Sequence, residues 1–426
     1  GRSRGPSRLS RSAASAQVLG AVMRLGTYGT VGYARAVSVF RSTIPDVALD
    51  EPMVQLLTAD GTRTPHEELD AVLERSGLAT PEKLRGYYRD MVMIRAADLE
   101  ATTLQRQGQL GLWASALGQE AAQIGAGHAA REQDYLVPTY REHGVAWARG
   151  IEPWRLLELF RGISHGGWDP NQLRTHPYMI VLGSQAPHAV GYAMGLQRDG
   201  VVGTGDVSTD TSVLALFGDG ASSEGEVAES FTFAASFQAP VVFYTQNNQW
   251  AISVPTQVQS RVPLAQRSRG WGIPSVRVDG NDVLAVLGAV RSALDSARSG
   301  DGPVFVEALT YRMAAHTTSD DASRYRPAAE EEEWAAKDPI LRLRGHLDQI
   351  DEIDESFVTR CDEEAHDLAM QLHHHIHGME DPDPVRMFDH PYAEPHPIVD
   401  AERAEYLEYI AQFEDDDADE DQERNA

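Results

Sequence analysis

The chain contains one cysteine, Cys361, among its 426 residues, so no disulfide can form within it. Such a composition fits a reducing compartment. Long apolar runs are missing as well, and no stretch reaches the roughly 18 apolar residues that a membrane-spanning helix requires. Lysine is nearly absent, with only Lys83 and Lys337, so arginine supplies the remaining fixed positive charge. These absences exclude a disulfide-stapled scaffold and predict no membrane-spanning helix.

Positive charge is scarce relative to negative charge. The sequence has 64 Asp and Glu residues against 37 Lys and Arg, for a formal net charge of −27 at pH 7. A chain with this charge repels polyanions, so we expect neither a nucleic acid nor an anionic membrane as a partner. The hydrophobic fraction of 42% is enough for a large buried core. The length by itself allows two or three domains.

Residues 213–256 organise the rest of the chain. Val213–Phe217 is an unbroken apolar run of strand length, followed directly by Gly218, Asp219 and Gly220. A second apolar strand is expected at Val241–Thr245. Between them, one helix face carries apolar residues at helical spacing: Val227, Phe231, Ala234 and Ala235. This strand–helix–strand unit predicts a doubly wound α/β fold with a mainly parallel sheet.

The polar residues of this unit lie where the strands end. Asp219 follows the first strand and Asn248 follows the second, so we expect both at the same edge of the sheet. Oxygen ligands of this kind suit Mg²⁺, which also takes water and phosphate oxygens. The glycine turn directs a helix N-terminus toward the crevice, where phosphate can bind. The alternative is a plain turn whose Asp caps a helix.

Three short sequences carry a resemblance to a known family. Gly218-Asp219-Gly220, then 26 residues, then Asn247-Asn248 resembles the thiamine diphosphate motif. The runs Phe217–Gly225 and Gln246–Ser253 resemble the alpha subunit of the decarboxylating first component of the 2-oxo acid dehydrogenases. The resemblance extends from about Leu84 to about Leu343. It implies a thiamine diphosphate-binding α/β fold with a helical C-terminal extension.

The resemblance also implies an activity and its partners. The expected reaction is oxidative decarboxylation of a 2-oxo acid, preferably a branched-chain one such as 3-methyl-2-oxobutanoate, with acyl transfer to a lipoyl group. A pyruvate or an acetoin dehydrogenase alpha subunit is the alternative within the family. The expected cofactors are thiamine diphosphate and magnesium. The expected partners are a beta subunit in an α2β2 heterotetramer, which supplies the glutamate that activates the cofactor, and a lipoyl-bearing acyltransferase.

The family's site residues transfer to ten positions of this sequence. The resemblance places the metal on Asp219, Asn248 and the carbonyl of Trp250. It makes His316 the catalytic residue facing the reactive carbon of the cofactor. The remaining cofactor-binding positions are Tyr140, Arg141, Leu182, Gly220, Ala221 and Gln246. At the position of Gln246, some family members have an arginine. At the position of Thr317, animal enzymes have a serine that a kinase phosphorylates, and we do not assume regulation by phosphorylation here.

Four further features allow more than one interpretation. A potassium site occurs in some members; Ser184 and Gln185 fit it, whereas Met179 and Val181 depart from it. Gly118-Gln119-Glu120 resembles a family element but is equally well explained by helix capping. We interpret the histidines at 373–377 and the acidic run at 330–333 as solvated helix faces. Outside the family, the rival functions are a non-catalytic scaffolding subunit and a phosphate-binding hydrolase.

Composition divides the chain into segments. The first 45 residues hold seven arginines and no acidic residue, which is typical of a mitochondrial targeting segment or of an extension outside the fold. We favour the extension, and therefore a cytoplasmic location with the mitochondrial matrix as the alternative. The predicted segments are a disordered or targeting-like extension (1–45), an N-terminal arm (46–80), the thiamine diphosphate-binding domain (81–330), a helical C-terminal extension (331–413) and an acidic tail (414–426).

Overall fold

A computed structural model describes residues 52–164, 166–380 and 382–413. The disorder that we expect at residues 1–45 and in the acidic tail at 414–426 lies outside the described residues. Within the described part of the chain, no helix is both long enough and apolar enough to cross a membrane.

The helices and strands alternate along the first three quarters of the described chain, and helices alone follow. In chain order, the elements are α1 (Glu67–Ser76), α2 (Pro81–Arg106), α3 (Glu120–Ala129), β1 (Tyr135–Val137), α4 (His143–Ala148), α5 (Pro153–Arg161), α6 (Pro170–Leu173), α7 (Gln185–Arg198), β2 (Val213–Gly218), α8 (Gly225–Phe237), β3 (Val241–Asn247), β4 (Trp250–Ala251), β5 (Val254–Pro255), α9 (Thr256–Gln259), α10 (Leu264–Ser268), β6 (Ser275–Asp279), α11 (Val283–Arg298), β7 (Val304–Leu309), α12 (Ala328–Ala335), α13 (Pro339–Gln349), α14 (Glu355–His377) and α15 (Pro397–Ile410).

A five-stranded sheet forms the centre of the fold. Its strand order is β1-β2-β3-β7-β6, and every neighbouring pair is parallel. The register places Gly218 of β2 beside Gln246 of β3, and Asn247 of β3 beside Leu309 of β7. The carboxyl ends of β2, β3 and β7 therefore meet at one edge of the sheet. The predicted α/β fold with a mainly parallel sheet is confirmed.

Helices cover both faces of this sheet. Because successive strand residues point to opposite faces, each central strand feeds two separate cores. One core joins α2, α3, α11, α13 and α14 to the side chains of Leu136, Leu214, Leu216, Val242, Tyr244, Val306 and Ala308. The other joins α7, α8 and α10 to Val137, Val213, Ala215, Phe217, Val241, Phe243 and Phe305. Burial on both faces explains why these strands read as continuous apolar runs.

The central strand–helix–strand unit forms as the sequence predicts, with small shifts. After β2 a short 3-10 turn, Ala221–Ser223, precedes α8, so the helix begins at Gly225. The helix ends at Phe237 because Gln238 adopts a left-handed conformation, with a φ of 50°. The strand β3 continues two residues beyond Thr245 to Asn247, so Asn248 is the first residue after the strand.

The last helices differ in how they are held. α14 packs on α2 and buries Cys361, Leu372 and Ile376 in the first core. α15 buries none of its residues and packs on the 3-10 turn Pro384–Phe388, with the rings of Phe388 and Tyr406 5.7 Å apart. The division into a domain at 81–330 and an extension at 331–413 stays a prediction.

Candidate active site

One cavity of about 300 Å³ opens at the carboxyl ends of β2 and β3. All ten site residues predicted from the sequence line it: Tyr140, Arg141, Leu182, Asp219, Gly220, Ala221, Gln246, Asn248, Trp250 and His316. They come from five separate stretches of the chain, which the parallel sheet and its loops bring together. Its position agrees with the general rule that ligands of doubly wound sheets bind beyond the carboxyl ends of the strands.

The glycine turn allows close packing beside the cavity. A Cβ added at Gly220 would lie 2.9 Å from the Cβ of Ala251, which is closer than two side-chain carbons can approach. The turn can therefore pack this closely against β4 only because residue 220 is a glycine. The backbone amides at the start of the 3-10 turn follow directly. A larger residue at position 220 would force either the turn or Ala251 to move.

Asp219 is a buried carboxylate with neutral hydrogen-bond partners. Its Oδ2 accepts hydrogen bonds from Thr256 Oγ1 (3.1 Å) and Gln259 Nε2 (3.0 Å). Burial raises the pKa of this carboxyl above its usual range, and the two hydrogen bonds oppose the rise. A carboxylate whose charge is this poorly compensated is suited to a cation.

Asn248 and Trp250 are held in defined orientations. Trp250 N donates to Asn248 Oδ1 at 3.3 Å, and Asn248 Nδ2 donates to Gln119 Oε1 at 3.2 Å. The carbonyl oxygen of Trp250 accepts from Arg312 Nη1 at 2.6 Å and keeps a second lone pair. The indole Nε1 of Trp250 donates to Glu330 Oε2 at 3.1 Å. Our interpretation of the acidic run as a solvated face is therefore wrong for Glu330, because this residue also accepts from a tyrosine hydroxyl next to the site.

His316 lies between two arginines. Its Nδ1 is 3.2 Å from Arg141 Nη2 and 3.5 Å from Arg312 Nη1. Because guanidinium groups only donate, Nδ1 must accept, and the proton of the neutral ring lies on Nε2. Burial, followed by the charges of the two arginines, lowers the pKa of His316 to about 3. The ring is therefore neutral at pH 7.

The loop before α4 supplies the remaining polar groups. Arg141 donates to the carbonyl oxygens of Ser115 and His316. Glu142 is buried, and burial raises the pKa of its carboxyl. Its Oε1 accepts from Gln246 Nε2 at 2.9 Å, so the Gln246 amide presents its oxygen, not its nitrogen, away from Glu142.

Three buried polar atoms of cavity-lining residues have no hydrogen-bond partner within the described chain. They are Gln119 Nε2, Gln246 Oε1 and Arg312 Nε. An unpaired buried donor or acceptor costs about 1–3 kcal/mol. Two donors, one acceptor and a poorly compensated carboxylate in one cavity fit a ligand that carries anionic oxygens together with a divalent cation.

Sequence reasoning assigned no site role to several residues that line the cavity. The largest omissions are Gln119, Glu142, Gln259 and Arg312. Arg312 follows β7 in the run Tyr311-Arg312, and Glu142 follows Arg141, so their positions after strands were an available signal. Gln259 gave no signal, because α9 reaches the cavity only through the short β4–β5 hairpin.

The sequence offered two other candidate sites, the potassium site near Ser184 and the histidines of α14. Ser184 Oγ donates to Val181 O at 2.7 Å, and Gln185 Nε2 donates to Leu216 O at 3.2 Å. Among the described residues, no group of three or more histidine, cysteine or acidic side chains is arranged to hold a metal. The histidines of α14 instead make pairwise contacts, such as His373 Nδ1 with Glu100 Oε1 at 2.9 Å.

These features define a class of protein: a doubly wound α/β enzyme with a strand-end cavity suited to an anionic, cation-associated cofactor. The family model described as "Dehydrogenase E1 component" matches residues 88–373. The chain therefore belongs to the dehydrogenase E1 component family, which depends on thiamine diphosphate. It is an alpha-type component of a 2-oxo acid dehydrogenase and works with a beta subunit and further components of a complex.

The similar proteins fall into two groups by their activity. The chain is 40% identical over 366 residues to the 3-methyl-2-oxobutanoate dehydrogenase subunit alpha of Mycobacterium tuberculosis, covering 86% of this chain and 96% of that protein. It is 39% identical over 335 residues to the pyruvate dehydrogenase E1 component subunit alpha of Acholeplasma laidlawii, covering 77% and 94%. The corresponding Staphylococcus aureus pyruvate dehydrogenase subunit is 36% identical over 298 residues, covering 70% and 76%.

Proposed function

We propose that this chain is the alpha subunit of a dehydrogenase for branched-chain 2-oxo acids, with 3-methyl-2-oxobutanoate as the preferred substrate. The observation that carries the proposal is the placement around one cavity of the ten residues that the family resemblance implies. The similarity to the mycobacterial alpha subunit supports the choice of substrate. Pyruvate is the second candidate, supported by the Acholeplasma and Staphylococcus relatives.

The cavity residues divide into a metal-binding group and a phosphate-binding group. Asp219, Asn248 Oδ1 and the Trp250 carbonyl would hold Mg²⁺, which prefers such oxygen ligands and retains bonds to phosphate. Arg141, Tyr140 and the amides of Gly220 and Ala221 would hold the diphosphate of thiamine diphosphate. The guanidinium of Arg141 is well suited to this because its donors match phosphate oxygens. Leu182, 43% exposed at the cavity, would contact the apolar part of the cofactor.

Gln246 plays a different part from the arginine found there in some family members. Its amide nitrogen donates to Glu142, so the atom of this cavity-lining side chain that is left without a partner among the described residues is the acceptor Oε1. An acceptor repels a bare phosphate oxygen and suits the hydrogen of a metal-bound water or an N–H group. We therefore assign Gln246 to the surroundings of the metal and not to the diphosphate.

His316 would act as a neutral hydrogen-bond donor. With Nδ1 occupied by the two arginines, Nε2–H is the group available to a reacting oxygen. A donor aimed at an oxygen that gains negative charge lowers the barrier of the reaction. The low pKa disfavours the imidazolium form, so His316 donates a hydrogen bond and does not deliver a proton from a charged ring at neutral pH.

The bound thiamine diphosphate supplies the carbanion chemistry that cleaves the bond between the keto carbon and the carboxylate. In the overall reaction, a 2-oxo acid and an oxidised lipoyl group give carbon dioxide and an acyl group on the reduced lipoyl thiol. The two electrons released by the substrate reduce the disulfide of the lipoyl group. Within this chain, the residues around the cavity bind the cofactor, orient it and place donors at the charged positions.

The partners follow from this reaction. The beta subunit would complete the site in an α2β2 heterotetramer, and a lipoyl-bearing acyltransferase would accept the acyl group. We propose a cytoplasmic location because the similar proteins are bacterial. We do not extend the proposal to potassium, because Met179 and Val181 depart from the residues of the family's potassium site.

Reconstitution with the beta subunit tests the proposal. The purified heterotetramer should decarboxylate 3-methyl-2-oxobutanoate in the presence of thiamine diphosphate and Mg²⁺, with a kcat/KM at least about tenfold above that for pyruvate, which corresponds to about 1.4 kcal/mol. A matched assay with pyruvate uses the same preparation. Preference for pyruvate would select the second candidate, and no thiamine diphosphate binding would refute both.

A further inference from the structure

Gln119 lines the cavity, and the proposed function gives it no part. It lies immediately before α3, where three contacts fix the backbone. Gly118 has a φ of 91°, and a Cβ there would lie 2.5 Å from the carbonyl oxygen of Tyr311. Thr310 Oγ1 donates to Gly118 O at 3.0 Å, and Gly118 N donates to Glu120 Oε2 at 3.0 Å. These contacts fix the backbone before α3, and the Gln119 side chain makes no capping hydrogen bond to that helix.

The orientation of the Gln119 amide follows from a chain of hydrogen bonds. Trp250 N is a donor, so the Asn248 atom that it meets must be Oδ1. Asn248 Nδ2 then faces Gln119 and requires the acceptor Oε1 there. The Gln119 nitrogen is left on the other side of the amide, in a residue that is 1% exposed. It has no hydrogen-bond partner among the described residues.

We infer that Gln119 Nε2 donates a hydrogen bond to an anionic oxygen of the cofactor's diphosphate, while Oε1 fixes Asn248 with its own oxygen toward the metal. The inference rests on the proposed function. Gln119 contacts Asn248, the proposed metal ligand, and Mg²⁺ in proteins commonly binds substrate phosphates together with such ligands. The diphosphate is therefore the nearest anionic group, ahead of the substrate carboxylate. A buried N–H bonded to a charged oxygen is also worth more than one bonded to a neutral group.

Two substitutions separate the donor role from the orienting role. Gln119→Glu keeps an oxygen for Asn248 but replaces the donor with an anionic oxygen. Gln119→Met keeps the approximate size and removes both functions. Both are compared with wild type in the reconstituted heterotetramer by calorimetric titration with thiamine diphosphate at saturating Mg²⁺. The control is Gln133→Glu, which removes a donating amide from the opposite edge of the sheet, where it bonds Val207 O and Asp210 O.

We expect both Gln119 variants to bind thiamine diphosphate about tenfold to a hundredfold more weakly, the range for a lost hydrogen bond to a charged group. The control should bind within about twofold of wild type, and melting temperatures check that each variant is folded. Wild-type affinity in Gln119→Glu would overturn the donor role, whether or not Gln119→Met is impaired. Unchanged cofactor affinity with a raised KM for the 2-oxo acid would assign the donor to the substrate carboxylate instead. Failure of the proposed function itself would appear as no cofactor binding by the wild type.

Discussion

Two buried aspartates at opposite edges of the same sheet differ in how their charge is compensated. Asp134 precedes β1 and accepts from Arg298 Nε at 2.9 Å, Arg298 Nη2, Ser212 N at 3.0 Å and Arg131 N at 2.7 Å. Asp219 follows β2 and, within the described part of the chain, accepts side-chain hydrogen bonds from the neutral Thr256 and Gln259. At the first edge, the charge of Asp134 is neutralised by an ion pair with Arg298. At the second edge, the charge of Asp219 remains for a cation to neutralise.

The difference teaches how burial relates to function. A buried acid that has its own arginine contributes to the fold, and removing either partner is costly. A buried acid without one raises the free energy of the folded chain, which is tolerated where a ligand or metal is to be bound. The same edge also collects the unpaired atoms of Gln119, Gln246 and Arg312. These features support the proposal that the carboxyl-end edge binds a ligand, whereas the ion pair at the amino-end edge contributes to stability.

The largest effect on binding should come from Asp219→Asn in the heterotetramer. Removing the carboxylate should weaken Mg²⁺-dependent thiamine diphosphate binding by more than about a hundredfold, the upper range for residues that only support a metal ligand. The melting temperature without ligands should stay equal or rise, because a poorly compensated buried charge is removed. Calorimetry and thermal denaturation measure the two effects. Unchanged affinity would remove Asp219 from the metal site.

Asp134→Asn should have the opposite effects, with lower stability and nearly unchanged cofactor affinity. Breaking the buried pair with Arg298 should lower the free energy of unfolding by about 3–5 kcal/mol. Thiamine diphosphate affinity of the folded fraction should stay within about threefold of wild type, a change of less than 1 kcal/mol. Chemical denaturation and calorimetry on the same preparation test this. Lost affinity without lost stability would erase the contrast between the two edges.

His316→Ala sharpens the comparison within the cavity. Turnover should fall by about a hundredfold or more, the scale of one lost donor to developing charge. Cofactor affinity should change only a few fold, because in the proposed site Arg141, the metal and the glycine turn hold the diphosphate. Decarboxylation rate and affinity are measured together. Lost affinity with normal turnover at saturating cofactor would make His316 a binding residue.

Asp98 offers a smaller, pH-dependent test. Burial raises the pKa of its carboxyl to about 6 from 3.8, although Ser115, Ala116 and Trp113 donate to it. The folded state therefore holds the proton more tightly than the unfolded state. Proton binding by Asp98 therefore adds up to about 3 kcal/mol to the free energy of unfolding. This stabilisation is fully present below pH 4 and is lost as the pH rises through about 6. Subtracting the stability curve of Asp98→Asn from that of wild type isolates it, and a flat difference would refute the assignment.

The sequence predicted the parts of the molecule that depend on local pattern. Strand β2 and the glycine turn after it follow from an apolar run and glycines that lie within a few positions of one another. The resemblance added residues far apart in the chain, such as Arg141 and His316. The structure brings them within hydrogen-bonding distance, at 3.2 Å between Arg141 Nη2 and His316 Nδ1.

The remainder could not be predicted, because it depends on contacts between distant loops. Glu330 was interpreted as solvated, since an acidic run at a helix start usually is, and its bond to Trp250 Nε1 requires the folded chain. The same holds for the amide orientations of Gln119 and Gln246, which are set by partners in other elements. The low pKa of His316 likewise depends on the folded chain, because it arises from burial and then from the charges of two arginines that are 175 and 4 residues away in sequence.

The central claim is that the carboxyl-end cavity binds thiamine diphosphate together with a magnesium ion, and that Asp219, Asn248 and Trp250 hold the magnesium. The most direct test is a crystal structure of the reconstituted heterotetramer with both ligands. The account predicts a metal about 2.0–2.1 Å from the Asp219 carboxylate, Asn248 Oδ1 and the Trp250 carbonyl, with the diphosphate against the amides of Gly220 and Ala221. A metal bound elsewhere, or a diphosphate outside this cavity, would contradict it.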